Sequence, residues 1–172
     1  MYFFTLVTYH RKPFLTLASA RSCLRSALLE VQRGYPFDVV ALCLLPDHLH
    51  VLITLPEDDD DYSKRWRAIK GHFSRLYSAT GAENGNRNES QIKRGEAAFW
   101  QRRFWEHYIH DENDHYRHLD YIHFNPVKHH YVNKPADWPY STFFKYVNNG
   151  YYDKEWGSIE PEEIRQLYVY GE

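Results

Sequence analysis

Residues 46–55 of this 172-residue chain, PDHLHVLITL, combine a short turn with strictly alternating side chains. Alternate residues of a strand point to opposite faces, so His48 and His50 share one face, while the aliphatic residues at odd positions from Leu49 onward share the other. An aliphatic face of this kind is what a sheet buries beneath helices. The two imidazoles then stand about 6–7 Å apart on the far face, close enough to converge on one ion.

The histidine pair has two interpretations. With 11 histidines in 172 residues, a pair separated by one residue is expected to arise by chance. On this segment alone, incidental surface histidines and a metal site are therefore equally open. The strand alternation, together with the lack of any packing need for imidazole at these positions, favours the metal site.

Charge is segregated along the chain. The stretch from Lys64 to Arg103 holds ten Lys or Arg against three Glu, whereas the rest holds eleven against twenty Asp or Glu. This distribution predicts a local basic surface despite a net charge of −2. Aromatic residues near this surface can stack on bases, although packing in the core is their commoner role. For the Lys and Arg residues, the alternative to nucleic-acid binding is a solvated surface without a binding function. The candidates for binding DNA are Lys64, Arg65, Arg67, Lys70, Arg75, Trp100, Arg102, Arg103 and Trp105.

Other features place the chain among soluble intracellular proteins. No apolar run approaches the length of about 20 residues that spans a bilayer, and the first residues lack the pattern of a signal peptide. Cys23 and Cys43 lie in apolar contexts without metal-binding spacing, which predicts buried free thiols. The expected location is the cytoplasm, with no membrane contact.

A length of 172 residues predicts one domain over 1–172, large enough to bury a core. Thr16 is expected to cap the first helix, and Asn125-Pro126 to end the third. The Gly- and Asn-rich segment 81–95 is predicted to be a mobile loop, and the aromatic, turn-rich residues 135–172 a wrapping C-terminal tail. The predicted strands are 2–9, 37–45, the histidine strand and a bent strand over 98–109; the predicted long helices are 17–33, 62–79 and 112–124. The second of these helices is expected to bury Trp66, Ile69, Phe73, Leu76 and Tyr77.

The third helix carries Tyr121 and Asn125, four residues apart and hence on one helical face. A tyrosine hydroxyl beside a divalent cation can attack a phosphodiester and form a phosphotyrosine. The amide oxygen of Asn125 is a candidate third ligand beside His48 and His50, in a set suited to Mg²⁺ or Mn²⁺. Taken alone the proposal is weak, because a helical tyrosine is more often a core residue.

Two further histidine pairs compete for the ligand role. His107 and His110, like His115 and His118, are three residues apart. Both pairs lie among polar residues, and we interpret them as surface or DNA-contacting side chains.

In combination these features resemble the single-tyrosine HUH transposases and, among them, the REP-associated tyrosine transposases. Both motifs, PDHLHVL and YIHFNPVK, occur in the order of that family. The resemblance covers nearly all of residues 2–157, through YFFTLVTYHRKPFL, LLPDHLHVLITLPEDDDDYSKRWRAIKGHFSR and FWQRRFWEHYIHDENDHYRHLDYIHFNPVKHHYVNKPADWPYSTFFKYV.

The resemblance implies an α+β fold of the ferredoxin-like, RRM-like HUH endonuclease type, an antiparallel sheet with helices on one face and the active site on the other. It implies metal ligation by His48, His50 and Asn125, with Tyr121 as the nucleophile. The implied reaction cleaves single-stranded DNA beside a palindromic REP-type hairpin and leaves a 5′-phosphotyrosine. In this branch a monomer is expected, with a dimer as the alternative.

Two other functions stay open. A module of the same fold that binds DNA or RNA hairpins without cutting would keep the basic surface and would not need Tyr121. A metallohydrolase would use the two histidines and an acidic residue to activate water.

Overall fold

The computed structural model describes residues 1–82, 89, 97–159 and 161. The predicted loop over 81–95 and the end of the predicted tail lie largely outside the described residues. Four antiparallel strands form one sheet in the order β2-β3-β1-β4. They are β1 (Tyr2–Val7), β2 (Asp38–Leu44), β3 (His48–Thr54) and β4 (Trp105–Tyr108).

Four α-helices accompany the sheet among the described residues: α1 (Ala18–Gly34), α2 (Tyr62–Ala79), α3 (Glu112–Lys128) and α4 (Phe143–Asn148). The bounds of α2 are those predicted from the sequence. The helix begins after Asp61 because the side chain of Asp61 accepts a hydrogen bond from the Lys64 amide and so caps the first turn. Thr16 was expected to cap α1, but Leu17 occupies that position and no side chain caps the helix. None of the described helices is both long and apolar enough to cross a membrane.

One face of the sheet is buried beneath α1 and α2. Leu49, Val51 and Ile53 of β3 belong to this core, as the alternation predicted, and α2 contributes Trp66 and Phe73. Burial of these large apolar side chains fixes which face of β3 turns away from the two helices. The histidines at even positions therefore point to the opposite side of the sheet.

The opposite face is covered by α3, which packs on β2 and β3. Its core contains Phe3 and Leu52 from the sheet, with Leu119 and Ile122 from the helix. The α+β class with an antiparallel sheet is confirmed. The structure adds that a long helix also covers the face expected to carry the active site, so helices lie on both faces.

The third helix runs one turn further than predicted, through Pro126 to Lys128. A proline inside the last turn removes only one backbone hydrogen bond, and the helix continues past it. It ends where His130 adopts a left-handed conformation (φ 59°), with the amides of His130 and Tyr131 bonding to the carbonyls of Val127 and Pro126. This is a Schellman arrangement with histidine where glycine is usual.

The described part of the tail, 135–159, packs against the outer side of α3. The buried imidazole of His123 connects the two, since its ring nitrogens lie 2.9 Å from Thr142 Oγ1 and 3.3 Å from Tyr152 Oη. Burial lowers the pKa of His123 to about 3, so the ring is neutral at physiological pH. Tyr152 also donates to Asp120 Oδ1, which fixes the tail to the helix a second time.

Two local predictions need correction. The bent strand expected over 98–109 is reduced to β4 and an isolated bridge between Thr8 and Trp100. Leu76, expected in the core, is 41% exposed because it lies outside the buried stripe of α2. Both cysteines are buried and free, as predicted.

Candidate active site

Two imidazoles from the first residues of β3 lie on the face of the sheet that α3 covers. His48 is 1% exposed and His50 is fully buried. Their ring centroids are 4.9 Å apart, with an interplanar angle of 82°. Residues of β1 lie directly opposite them, Val7 against His48 and Thr5 against His50. The alternation therefore brings both rings to one place, as expected from the sequence.

Each imidazole is oriented by a hydrogen bond at Nδ1. His48 Nδ1 donates to Asp47 Oδ1 at 2.7 Å, and His50 Nδ1 is hydrogen-bonded to Thr5 Oγ1 at 2.9 Å. Arg11 in turn forms an ion pair with Asp47 at 3.0 Å. Burial alone would raise the pKa of Asp47, but the hydrogen bonds and charges of His48 and Arg11 lower it to about 2. The residue is thus a carboxylate at neutral pH and holds His48 in one tautomer.

This arrangement fits a divalent cation. With both Nδ1 atoms engaged, an ion would be bound through Nε2 of each ring, and partners at the other nitrogen are the usual support of histidine ligands. His48 Nε2 is buried and has no hydrogen-bond partner among the described residues, so this atom is available as a metal ligand. Asn125, fully buried on α3, offers an amide oxygen from the helix that covers the pair.

Tyr121 lies against the histidine pair. Its ring packs edge-on to His50 with the centroids 5.2 Å apart, and against Phe3 at 5.9 Å. The side chain is only 2% exposed. The ring of Tyr121 therefore lies beside that of His50, and the phenol is covered and not open to solvent.

Sequence analysis missed two residues of this site, Lys128 and His129. Lys128 Nζ lies 3.3 Å from Tyr121 Oη and 5.0 Å from the centre of its ring. The His129 ring lies 5.0 Å from that of His48. Both residues follow the expected helix end at Pro126, so the prediction that the helix stops there concealed them. Helical spacing from Tyr121 through Asn125 was the signal that could have found them.

Most of the basic residues expected to bind DNA lie on α2, which packs on the other face of the sheet. Lys64, Arg67 and Arg75 are exposed there. Lys64 Nζ lies over the ring of Tyr35 at 4.4 Å. These three side chains are accessible to a polyanion, but the sheet separates them from the histidine pair.

Arg65 is not a surface residue, and its expected role in DNA binding is wrong. The side chain is 3% exposed, and its guanidinium makes two hydrogen bonds to the carboxylate of Asp59, the shorter 2.6 Å long. It also donates to the carbonyls of Pro36 and Asp61. A buried, bidentate ion pair of this kind anchors the start of α2 and leaves the guanidinium no capacity for phosphate.

Trp100 and Lys70 are also structural. Trp100 is 6% exposed and packs against Phe73 at 5.1 Å, so it cannot stack on a base as expected. Lys70 Nζ donates to the carbonyls of Gln101 at 2.9 Å and Arg102 at 3.4 Å. Burial lowers the pKa of Lys70 to about 8. Both residues hold the segment before β4 in place.

That segment brings three of the expected residues to the end of the sheet where His48 lies. The Gln101 amide donates to the Val7 carbonyl, and Val7 is opposite His48. Arg102 and Arg103, which follow, are exposed. Trp105 is half-buried in the same row across the sheet as Thr5 and His50, and packs on Phe3 at 5.5 Å.

Of the two competing histidine pairs, His107 and His110 do form one, with their rings 5.5 Å apart. His118 is 3% exposed, so the interpretation of it as a surface residue is wrong. It stacks on His107 of β4, with ring centroids 4.5 Å apart and an angle of 17°. His110 is exposed, as expected.

Comparison with known proteins relates the chain to one family and to several of its members. The sequence profile of the family described as "Transposase IS200 like" matches residues 1–125. A protein of Haemophilus influenzae, provisionally assigned as a REP-associated tyrosine transposase, is 45% identical over 166 residues, which cover 96% of this chain and 92% of the relative. The REP-associated tyrosine transposase of Escherichia coli K12 is 41% identical over 155 residues, covering 90% and 83%. A solved REP-associated tyrosine transposase bound to a REP hairpin has a TM-score of 0.78 and 38% identity, with coverage of 99% of this chain and 90% of that chain.

Proposed function

Because the chain belongs to the IS200-like transposase family and, within it, to the REP-associated tyrosine transposases, we propose that it cleaves and rejoins single-stranded DNA through Tyr121. The observation that carries the proposal is the contact of Tyr121 with His50, whose ring centroids are 5.2 Å apart. That contact joins the two family motifs in one site. The solved relative is bound to a REP hairpin, which supports a hairpin of this type as the DNA ligand.

In the proposed reaction, Tyr121 Oη attacks the scissile phosphorus and loses its proton. A bond forms between Oη and phosphorus, the bond from phosphorus to the 3′ oxygen breaks, and that oxygen takes up a proton. The products are a 5′-phosphotyrosine and a free 3′-OH. Because the phosphotyrosine retains the energy of the phosphodiester, attack by a 3′-OH reverses the step and rejoins the strand.

We propose His48, His50 and Asn125 as the ligands of a Mg²⁺ or Mn²⁺ ion. When bound, such an ion supplies polarisation of the phosphate and stabilises charge on its oxygens. Asp47 and Thr5 fix the two rings, and Lys128 stabilises negative charge on the phenol oxygen from 3.3 Å. We expect the chain to act as a monomeric, single-domain protein in the cytoplasm.

The experiment that tests this function uses a labelled single strand that carries a REP-type hairpin and a flanking cleavage site. The full-length protein is incubated with it in Mn²⁺, in Mg²⁺ or in EDTA, and the products are separated on a denaturing gel. We expect a protein–DNA adduct in the presence of either ion and none in EDTA. Cleavage without any adduct would instead identify a metallohydrolase.

A second function, hairpin binding without cutting, is favoured by one observation. Tyr121 is only 2% exposed, so a scissile phosphate reaches Oη only if the side chains that cover it move. Lys128, half-buried at the end of α3, is one such side chain. Hairpin binding that never yields an adduct, across both ions and a range of flanking sequences, would establish this second function.

Lys128 gives a testable prediction about the nucleophile. We expect Lys128→Met to slow adduct formation by roughly 10–100-fold, because it removes the cation that stabilises the phenolate. Single-turnover rates measured from about pH 6 to about pH 9 should show that the variant needs a higher pH to reach half of its maximum rate.

Lys145→Met is the matched control, since Lys145 lies over the ring of another tyrosine, Tyr146, at 5.8 Å and is exposed on α4. It should react at the rate of the wild type. Lys128→Arg should restore part of the rate. A Lys128→Met variant with an unchanged rate at every pH would remove Lys128 from the mechanism.

The basic residues give a second prediction, which distinguishes DNA binding at the His48 end of the sheet from DNA binding on α2. We expect Arg102→Ala and Arg103→Ala each to weaken hairpin binding and to lower the slope of log affinity against log salt by about 1, the value for one lost phosphate contact. The reason is their exposed position beside the end of the sheet that carries His48. Fluorescence anisotropy with a labelled hairpin at several salt concentrations measures both quantities.

Lys64→Ala is the control, because it removes the same charge from α2, which packs on the face of the sheet opposite the histidine pair. Its slope should remain that of the wild type. If Lys64→Ala and the two arginine variants change the slope equally, the hairpin contacts α2 as well, and the proposed restriction to the His48 end is wrong.

A further inference from the structure

A second group of metal-ligating side chains lies on the face of the sheet that α3 covers. It consists of His107 from β4, with Asp114 and His118 from the first half of α3. One potential ligand atom from each of the three lies within 4.8 Å of the other two. The two elements follow one another in the chain, and the short connection 109–111 between β4 and α3 brings these groups together.

The Asp114 side chain is the centre of the group. Its Oδ2 accepts from His107 Nε2 at 2.8 Å, and its Oδ1 lies 3.0 Å from His118 Nδ1, which also contacts the Asp114 carbonyl at 2.9 Å. The backbone amide of His110 donates to Oδ2 as well, at 3.0 Å. The imidazole nitrogens and the carboxylate therefore point towards one another, and the His118 side chain is 3% exposed.

From this convergence we infer that His107, Asp114 and His118 bind a divalent transition-metal ion, with Zn²⁺ as the first candidate. Two imidazoles and one carboxylate, with a fourth position open to water, form a common zinc ligand set. Such nitrogen-rich sites bind Zn²⁺ more tightly than Mn²⁺. The ion would replace the protons that His107 and His118 now share with Asp114, so binding weakens as the pH falls.

The site is separate from the histidine pair of β3. The ring of Phe3 lies between the two, 4.9 Å from His118 and 5.6 Å from His50. An ion at this position links β4 to α3 and so fixes the helix that carries Tyr121, one turn beyond His118. The inference does not rest on the proposed function, since a chain that never cuts DNA can still bind zinc here.

The test uses the full-length chain with the first site disabled by His50→Phe. Zn²⁺ is added in the presence of a chromophoric chelator, and the stoichiometry and affinity are determined from the competition. We expect one equivalent of zinc bound in His50→Phe, and at least about tenfold weaker binding after His107→Ala is added. Removal of a residue that supports a ligand already lowers metal affinity by about tenfold or more, and removal of the ligand itself should lower it at least as much. Zn²⁺ should also raise the melting temperature of His50→Phe and not that of His50→Phe/His107→Ala.

His110→Ala is the matched control, since the exposed His110 ring lies 5.5 Å from that of His107 but only its backbone contacts Asp114. Added to His50→Phe, it should leave the one bound equivalent of zinc unchanged. Asp114→Asn, which keeps the size of the side chain, should lose it, and this variant covers the case in which His107→Ala is poorly folded. The inference is overturned if His50→Phe binds no zinc, or if it binds zinc equally with and without His107.

Discussion

Replacement of Tyr121 by phenylalanine is expected to abolish the protein–DNA adduct and to lower strand cleavage by roughly a thousandfold or more, the order of loss seen when a nucleophile is removed. The phenylalanine ring retains the edge-on contacts with His50 and Phe3, so only the attacking oxygen and its contact with Lys128 disappear. The free energy of unfolding should change by only about 1 kcal/mol, the cost of one hydrogen bond. Hairpin affinity should stay within about threefold of the wild-type value, because the side chain is only 2% exposed.

Tyr116→Phe provides the comparison on the same helix. Tyr116 is 38% exposed and donates to Glu112, one turn before it. This variant should form the adduct at the wild-type rate. If Tyr121→Phe still forms an adduct, another residue is the nucleophile, and mass spectrometry of the DNA-linked peptide would identify it. If neither variant nor the wild type forms one, the hairpin-binding module is the better description.

Much of the fold could be predicted because local pattern and tertiary structure agree. In β3, aliphatic residues alternate with the two histidines, and each set faces a different layer of helices. In α2, Asp61 supplies the cap and a regular apolar stripe supplies the buried face. Such elements are determined by neighbours within a few residues, which a single sequence displays.

The errors occur where residues outside the helix itself decide the outcome. Arg65 has the sequence context of an exposed helical arginine, and only the positions of Asp59 and the Pro36 carbonyl make it a buried anchor. The spacing of His115 and His118 suggested a local pair, whereas His118 is partnered by His107 of β4. A partner across the fold leaves no periodic signal in the sequence.

The end of α3 is a third case, with consequences for the site. Pro126 predicts a helix stop, but the loss of one backbone hydrogen bond is offset by a Schellman arrangement beyond it. The additional turn brings Lys128 to Tyr121 and His129 to His48. The histidine pair and the tyrosine were thus predictable as motifs, while the groups that surround them depend on how the chain continues past the proline.

Loss of the proposed active-site ion gives the other large expected effect. We expect His50→Phe to reduce Mn²⁺-dependent cleavage by roughly a hundredfold or more, because a carbon replaces the nitrogen that would bind the ion and because charge stabilisation of this kind is a large term in catalysis. The new ring can keep the stacked contact with Phe3 and the edge-on contact with Tyr121. Stability should fall by about 1–3 kcal/mol, since the buried Thr5 hydroxyl loses its partner.

Thr5→Val distinguishes the ligand from its support. Valine has the shape of threonine but cannot hydrogen-bond to His50 Nδ1, so it should weaken Mn²⁺ affinity by about 10–100-fold and leave the cleavage rate at saturating ion largely intact. The Mn²⁺ dependence of adduct formation, with urea unfolding as the check on folding, measures both variants. If His50→Phe cleaves at the wild-type rate and with the same Mn²⁺ dependence, the ion is not bound by the β3 pair. His107, Asp114 and His118 would then be the remaining place among the described residues where several metal-ligating side chains converge.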